Sequence, residues 1–120
     1  MAKKQGKKKA DLLQGTLDML ILKSLVAGPK HGYGVAGWIK STTSGALQIE
    51  EGSLYPALHR MQKHGWLDSE WGVSESNRKA KFYSLTKSGR SQLKQEVRAW
   101  EHLVQAIGLV INSKMTEAGK

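Results

Sequence analysis

The residues of this chain that are best suited to chemistry form a polar, aromatic and basic set in the segment EEGSLYPALHRMQKHGWL, residues 50–67. Its apolar residues Leu54, Leu58 and Met61 recur at helical spacing and predict one face that packs on a core. On the opposite face, hydroxyl, imidazole and cationic groups suit base edges and phosphates of duplex DNA, and tyrosine or proline suits thymine methyl groups. The candidate DNA-contacting residues here are Ser53, Tyr55, Pro56, His59, Arg60 and Lys63. The alternative is an amphipathic surface helix without a partner.

Catalysis and metal binding have no matching set of residues. The chain has no cysteine, which excludes disulfides, thiolate metal sites and a cysteine nucleophile. Glu50 and Glu51 are adjacent and point different ways, so they do not form an acid/base pair across a cleft. No glycine-rich segment has P-loop or dinucleotide-binding spacing. We therefore expect no enzyme, metal or cofactor. The histidines are scattered, without a pair at ligand spacing, at His31, His59, His64 and His102.

Charge is unevenly distributed along the chain. The net charge of +9 over 120 residues includes five lysines within the first ten residues, which hold no acid. Residues 1–10 are predicted to be a disordered basic tail, either binding phosphates nonspecifically or acting as a solubilising leader. The apolar run of residues 12–27 is interrupted by Gln14, Asp18 and Lys23, too polar to span a membrane. We expect a soluble, cytoplasmic protein of one domain.

Three helices in succession are predicted to position the candidate residues. The first follows Asp11 as N-cap and stops at Gly28-Pro29, the second covers about residues 33–42, and the third covers residues 52–64 and ends at Gly65. An extended connection, SGALQIEEG, precedes the third helix. Short successive helices, the last with one apolar and one polar face, are typical of a helix-turn-helix domain.

A β-hairpin is predicted directly after the third helix. The segments WLDSEWGV and KAKFYSLT are both strand-like, and the turn formers SESNR separate them. A hairpin in this position is the wing of a winged helix-turn-helix, which we assign to residues 11–86. Its tip is either solvated surface or a phosphate contact that uses Asn77, Arg78, Lys79 and Lys81.

The last predicted element is a long helix over residues 87–113, capped by Thr86 or Ser88, before a frayed tail at 114–120. Its apolar residues are spaced 4, 3, 4, 3 and 4 apart, as in a coiled-coil seam. This seam either packs on its own domain or joins a homodimer, and the first helix is apolar enough to contribute. The candidate interface residues are Leu13, Leu17, Leu20, Leu93, Val97, Trp100, Val104, Ile107 and Ile111.

Three of the four tryptophans, Trp38, Trp66, Trp71 and Trp100, have a predicted place. Trp38 and Trp66 have apolar neighbours in the sequence and are expected in the core. Trp100 falls in the predicted seam, where it either packs or lines a pocket for a flat aromatic ligand between two subunits.

Four motifs together resemble the PadR family of bacterial transcriptional regulators. They are LLQGTLDMLILKSL, HGYGVAGWI, EEGSLYPALHRMQKHGWL and EWGVSESNRKAKFYSLTKSGRSQL, and the likeness extends over residues 11–111. The resemblance implies a winged-helix homodimer, usually a repressor at a promoter inverted repeat. A single C-terminal helix resembles the family's short subgroup.

The resemblance also implies roles for individual residues. Tyr33, Ser53, Tyr55, Pro56 and Arg60 match family positions near DNA, and Arg78 and Lys81 match wing positions over phosphates or the minor groove. Some members release DNA when a small aromatic effector binds at the dimer interface. The expected fold is mainly α with a small β-hairpin, a winged helix-turn-helix with a long C-terminal dimerisation helix. The alternative function is a protein- or ligand-binding winged-helix module without a specific DNA target.

Overall fold

Four helices and three short strands make up the part of the chain that the structure describes, residues 14–114 of this computed structural model. In chain order they are α1 (Gln14–Ser24), β1 (Lys30–His31), α2 (Gly32–Thr42), α3 (Glu51–Lys63), β2 (Leu67–Val73), β3 (Lys79–Leu85) and α4 (Lys87–Ile111). The predicted fold class, mainly α with a winged hairpin and a long C-terminal helix, is confirmed. Asp11 and Leu13 lie outside the described residues.

Helix boundaries follow local capping chemistry. The Thr86 hydroxyl accepts a hydrogen bond from the Gly89 amide at 2.9 Å, which makes Thr86 the N-cap of α4. The same hydroxyl donates to the carbonyl of Gly65 at 2.7 Å and so ties α4 to the turn after α3. That turn needs glycine, because Gly65 has φ +82°, in the left-handed region.

The three strands form one antiparallel sheet in the order β1-β3-β2. Strands β2 and β3 are the predicted hairpin, with Leu67 opposite Leu85 and Val73 opposite Lys79. The two-residue strand β1 was not predicted; it pairs Lys30 with Tyr83. A segment this short carries no period-2 signal, and it becomes a strand only because β3 offers a free edge.

The core lies where α1, α2 and α3 meet the base of the sheet and the start of α4. Its most completely buried large side chains are Ile21, Leu22, Leu25, Ile39, Leu54, Leu58, Met61 and Leu67. The expected core position is wrong for Trp38 and holds only in part for Trp66, which packs against the edge of the core. Trp38 lies on the surface with 36% of its side chain exposed, and Trp66 is only partly buried, stacked on His64 with ring centroids 4.6 Å apart.

Helix α4 extends well beyond this core. Its residues in the core are Leu93 and the half-buried Val97, both in its first half. The protein measures 64 Å along its longest axis. Across residues 14–114, no helix is both long and apolar enough to cross a membrane.

Candidate nucleic-acid interface

Helix α3 separates its side chains into a buried and an exposed face. Leu54, Ala57, Leu58 and Met61 pack into the core. The residues that point outward include five of the six predicted DNA contacts on this helix. They are Ser53, Tyr55, Pro56, His59 and Lys63. Pro56 lies within the helix rather than at its first position, so it has no N–H to donate to the carbonyl of Gly52.

The sixth predicted contact, Arg60, is engaged inside the protein. Its guanidinium donates two hydrogen bonds of 2.9 Å to the two carboxylate oxygens of Asp18 in α1. The Asp18 side chain is only 5% exposed, and that of Arg60 is 30% exposed. The hydrogen bonds to Asp18 are the main cause that raises the pKa of Arg60. The bidentate pair commits two N–H groups of the guanidinium to a structural role. The base contact of Arg60, predicted from the sequence, stays a prediction.

A cleft of about 970 Å³ separates the start of α2 and α3 from the wing, the β2–β3 hairpin. Tyr33 and Tyr55 line the helical side, and Tyr33 is 73% exposed. Arg78, Lys79 and Lys81 line the wing side. The cleft thus brings four of the predicted DNA-contacting wing and α2 residues together with Tyr55 of α3.

Tyr55 is held in the cleft by its fit against a glycine. A Cβ atom on Gly32 would lie 2.6 Å from Cε1 and 2.7 Å from the hydroxyl oxygen of Tyr55, so any side chain there would displace the ring. Burial is the main cause that raises the pKa of Tyr55, with Glu51 and Tyr33 adding to it. The phenol therefore stays protonated, able to donate a hydrogen bond.

The wing tip is a tight turn built on Asn77. The Asn77 amide donates to the carbonyl of Ser74 at 2.8 Å, and the Ser74 amide donates to the carbonyl of Arg78 at 2.8 Å. Asn77 has φ +60°, a conformation that asparagine tolerates better than most residues. The turn accounts for an asparagine at this position, and contact between Asn77 and DNA stays a prediction.

Trp71 on β2, for which the sequence predicted no role, is exposed and lines the cleft. The ammonium groups of Lys79 and Lys81 lie 5.3 Å and 5.8 Å from its ring centroid. Both distances are within cation–π range. The ring therefore holds the two lysines near the cleft. The pairing of the two strands could have indicated this contact, because Trp71 stands directly opposite Lys81 in the hairpin.

Two further residues of the cleft were missed as a pair. His31 Nδ1 accepts a hydrogen bond of 3.0 Å from the Gly34 amide, and His31 Nε2 lies 3.3 Å from Glu75 Oε1 at the wing tip. The pKa of the Glu75 carboxyl is lowered, first by a hydrogen bond from its own backbone amide and then by His31. Residues 44 positions apart meet here only through the fold.

Four of the six predicted seam residues of α4 are exposed. Trp100, Val104, Ile107 and Ile111 form an uncovered apolar strip, with Leu103 beside it. The other described candidate interface residues are placed differently. Leu17 and Leu93 are buried in the core of their own chain, and Leu20 and Val97 are partly buried against it. These residues therefore support the domain rather than offering free surface to a partner.

A groove of about 310 Å³ lies between α1 and α4, lined by Thr16, Met19, Glu96, Trp100 and Leu103 among others. Gln92 donates to Glu96 Oε2 at 2.9 Å, whereas buried Oε1 has no hydrogen-bond partner among residues 14–114. Burial is the main cause that raises the pKa of Glu96.

No metal site is apparent in the described part of the chain. Across residues 14–114, no group of three histidines, aspartates or glutamates could hold a metal ion.

Comparison with known proteins gives one consistent family. Residues 21–95 match the family model described as the transcriptional regulator PadR-like family. A transcriptional regulator from Clostridium thermocellum is 30% identical, with a TM-score of 0.73 over 80% of this chain and 93% of that chain. A PadR family regulator from Eggerthella lenta is 32% identical, with a TM-score of 0.68 over 84% and 86%. The transcriptional regulator Rv3488 of Mycobacterium tuberculosis is 37% identical over 60 residues, half of this chain and 55% of that protein.

Proposed function

The chain belongs to the PadR-like family of transcriptional regulators, and from that premise we propose that it binds a promoter inverted repeat as a homodimer and represses transcription there. Regulators of this family bind DNA and are not enzymes. One observation carries the proposal: α3 buries one face in the core and presents Ser53, Tyr55, Pro56, His59 and Lys63 on the other. A helix exposed in this way is what the major groove accepts.

The exposed residues divide into two groups by the DNA atoms that they reach. We assign base contacts to the exposed face of α3, because hydrogen-bonding groups and apolar groups there can distinguish base pairs. We assign phosphate contacts to Tyr33 and to the wing residues Arg78, Lys79 and Lys81, because cations and hydroxyls across a cleft from α3 suit the DNA backbone. Phosphate contacts set affinity and its salt dependence, and base contacts select the operator.

The strip on α4 supports the dimer. Trp100, Val104, Ile107 and Ile111 are exposed along one face of α4. Surface of this kind marks a protein–protein interface. A twofold arrangement through α4 presents two copies of α3 to successive major grooves, about 34 Å apart. Such a dimer covers promoter DNA and competes with other proteins for it, which is repression by occupancy.

The groove beside Trp100 supports an effector site. Its walls are mostly apolar, from Met19, Trp100 and Leu103, and one buried carboxylate oxygen of Glu96 faces no donor in residues 14–114. We propose that a small aromatic effector binds against Trp100 and loosens the DNA complex. Titration of a panel of phenolic acids and planar aromatic dyes should quench tryptophan fluorescence in the native chain, and Trp100→Phe should remove most of that quenching. Quenching that survives in Trp100→Phe would move the site elsewhere.

Hydroxyl-radical footprinting on DNA from upstream of the chain's own gene tests the proposal. We expect two protected segments with their centres about one helical turn apart and related by a twofold axis. A single protected segment would contradict the dimeric arrangement. If cleavage were reduced evenly along the fragment and no segment were protected, a winged-helix module without a specific DNA target would be favoured.

A further inference from the structure

The wing tip places an acid in the cleft that we assign to DNA phosphates. Glu75 shares that cleft with Arg78, Lys79 and Lys81, and its side chain is 85% exposed. Despite this exposure, its Oε1 lies 3.3 Å from Nε2 of His31, whose side chain is only 17% exposed. A carboxylate in this position opposes the binding of phosphates nearby, because like charges repel. The contact therefore needs an explanation beyond stability of the free protein.

The tautomer of the His31 ring determines which group is the donor in its contact with Glu75. Nδ1 accepts a hydrogen bond from the Gly34 amide at 3.0 Å, so Nδ1 carries no proton. The neutral ring then has its proton on Nε2, which donates to Glu75. The ring is held in place by this cap and by an edge contact with Phe82, at a centroid distance of 5.2 Å and an angle of 70°. His31 thus offers one fixed N–H donor to the cleft.

We propose that His31 Nε2–H is a binding site for a DNA backbone phosphate, and that the Glu75 carboxylate occupies this site in the free protein as a displaceable stand-in. The inference rests on the proposed function, because it assumes that DNA enters this cleft. Carboxylate and phosphate oxygens are both anionic acceptors, so the same donor serves either one. When DNA binds, a phosphate oxygen replaces Glu75 Oε1, and the donor on His31 is paired in both states.

The position of Glu75 makes the exchange feasible. It lies in the turn between β2 and β3, and its mostly exposed side chain returns to water when it leaves. The ring of His31, in contrast, cannot follow, since it caps α2 through Gly34. Two consequences follow: Glu75 weakens DNA binding by competition at one atom, and His31 strengthens it by contact. His31 therefore joins the phosphate-contacting residues of this cleft.

A double-mutant cycle measured by fluorescence anisotropy tests the inference. The proteins are the native chain, Glu75→Ala, His31→Asn and the double variant, each titrated into the upstream duplex and into a scrambled duplex at fixed salt. Asparagine suits an N-cap position, so His31→Asn retains the cap of α2 through its side-chain oxygen. Its amide also has N–H donors, but the side chain is shorter than the imidazole and places no donor at the position of Nε2. Thermal unfolding verifies that the variant folds. Glu70→Ala is the matched control, because Glu70 is an exposed acid of the same hairpin outside the cleft.

We expect Glu75→Ala to tighten binding to both duplexes about threefold or more beyond the effect of Glu70→Ala, and His31→Asn to weaken it by a similar factor. In the His31→Asn background, the effect of Glu75→Ala should fall to that of Glu70→Ala, because Glu75 and the phosphate no longer compete for one donor. Equal gains in both backgrounds would overturn the inference and leave Glu75 as a general repulsive charge. Unchanged binding by His31→Asn would also overturn it.

The binding data distinguish failure of this inference from failure of the proposed function. Equal affinity for the upstream and scrambled duplexes would contradict sequence-specific regulation but leave the cycle readable, since phosphates are present in both. No binding to either duplex would overturn both proposals. Nitrogen-15 NMR of the histidine rings gives a second readout: the Nε2 signal of His31 should shift in Glu75→Ala and shift again when duplex is added. A signal unaffected by duplex would contradict the phosphate contact.

Discussion

The guanidinium of Arg60 and the carboxylate of Asp18 form a bidentate pair with two hydrogen bonds of 2.9 Å between α3 and α1. Since α1 also packs on α4, the pair links α3, the proposed recognition helix, through α1 to α4, which carries the proposed dimer strip. In the proposed dimer, the orientation of α3 relative to a partner copy depends on this contact. The pair therefore acts as a brace between α3 and α1, and base contact by Arg60 stays a prediction.

Loss of the brace should reduce stability. Arg60→Ala leaves the buried Asp18 carboxylate without its partner. We expect the free energy of unfolding, measured in urea, to fall by about 2 kcal/mol. This loss is smaller than that for breaking a deeply buried pair, because Arg60 is partly exposed to solvent. Arg90→Ala, an exposed arginine of α4, is the control. A stable Arg60→Ala protein with a selective loss of operator binding would contradict the brace and restore the base-reading role.

The raised pKa of Glu96 predicts a specific pH dependence. The folded state holds the proton of Glu96 more tightly than the unfolded state does, so this carboxyl lowers stability as pH rises from about 4.5 through its raised pKa. Glu96→Gln should therefore gain stability over the native chain as pH increases, and the difference should level off once the native carboxyl is ionised in both states. Urea unfolding between pH 4 and 8 measures this.

Glu101→Gln, an exposed acid of the same helix, is the control for that series. If the stability difference between Glu96→Gln and the native chain were constant with pH, burial of Glu96 would not be the cause of its shift.

The junction of α4 with the sheet should not tolerate a methyl group. A Cβ atom on Gly89 would clash with the carbonyl oxygen of Trp66, a backbone atom that cannot easily move away. We expect Gly89→Ala to lower the free energy of unfolding by about 2 kcal/mol or more. Gly37→Ala in α2, where no atom lies within 4 Å of the added Cβ, should raise it by about 0.5–1 kcal/mol. Equal effects in urea titrations would refute the close approach.

The strip on α4 can be tested by adding a charge to it. Val104→Asp places an unpaired carboxylate in the proposed interface, and we expect sedimentation velocity to show monomers at concentrations where the native chain is dimeric, with at least about a 100-fold higher dissociation constant. Gln105→Asp, on the opposite face of α4, should leave the dimer intact. Dissociation by Gln105→Asp alone would place the interface on the other face.

The fold could be predicted largely because its signals are local. Apolar spacing predicted α3 and α4, and the turn formers between two strand-like segments predicted the hairpin. The predictions that failed concern features that depend on residues distant in the sequence. Trp38 has apolar sequence neighbours, yet its helix turns it outward to lie 5.9 Å from the ammonium group of Lys30. Strand β1 forms only against β3.

The candidate site shows the same limit more clearly. The exposed face of α3 follows from periodicity, so Ser53, His59 and Lys63 could be predicted to point outward. Arg60 could not be assigned, because its partner Asp18 is 42 residues away and nothing in the helix indicates the pairing. The contact between His31 and Glu75 is equally nonlocal. Sequence patterns identify which side chains are exposed, whereas their partners come from tertiary packing.

The central claim is that the exposed face of α3 binds DNA sequence-specifically. The most direct test is fluorescence anisotropy of the full chain, titrated with its own upstream duplex and with a scrambled duplex. The titrations span salt concentrations from about 50 to 200 mM. We predict that the upstream duplex binds at least about 1,000-fold more tightly at the higher salt. We also predict that His59→Ala reduces this ratio while Lys81→Ala weakens both duplexes alike. Equal, steeply salt-dependent binding of the native chain to both duplexes would contradict the claim.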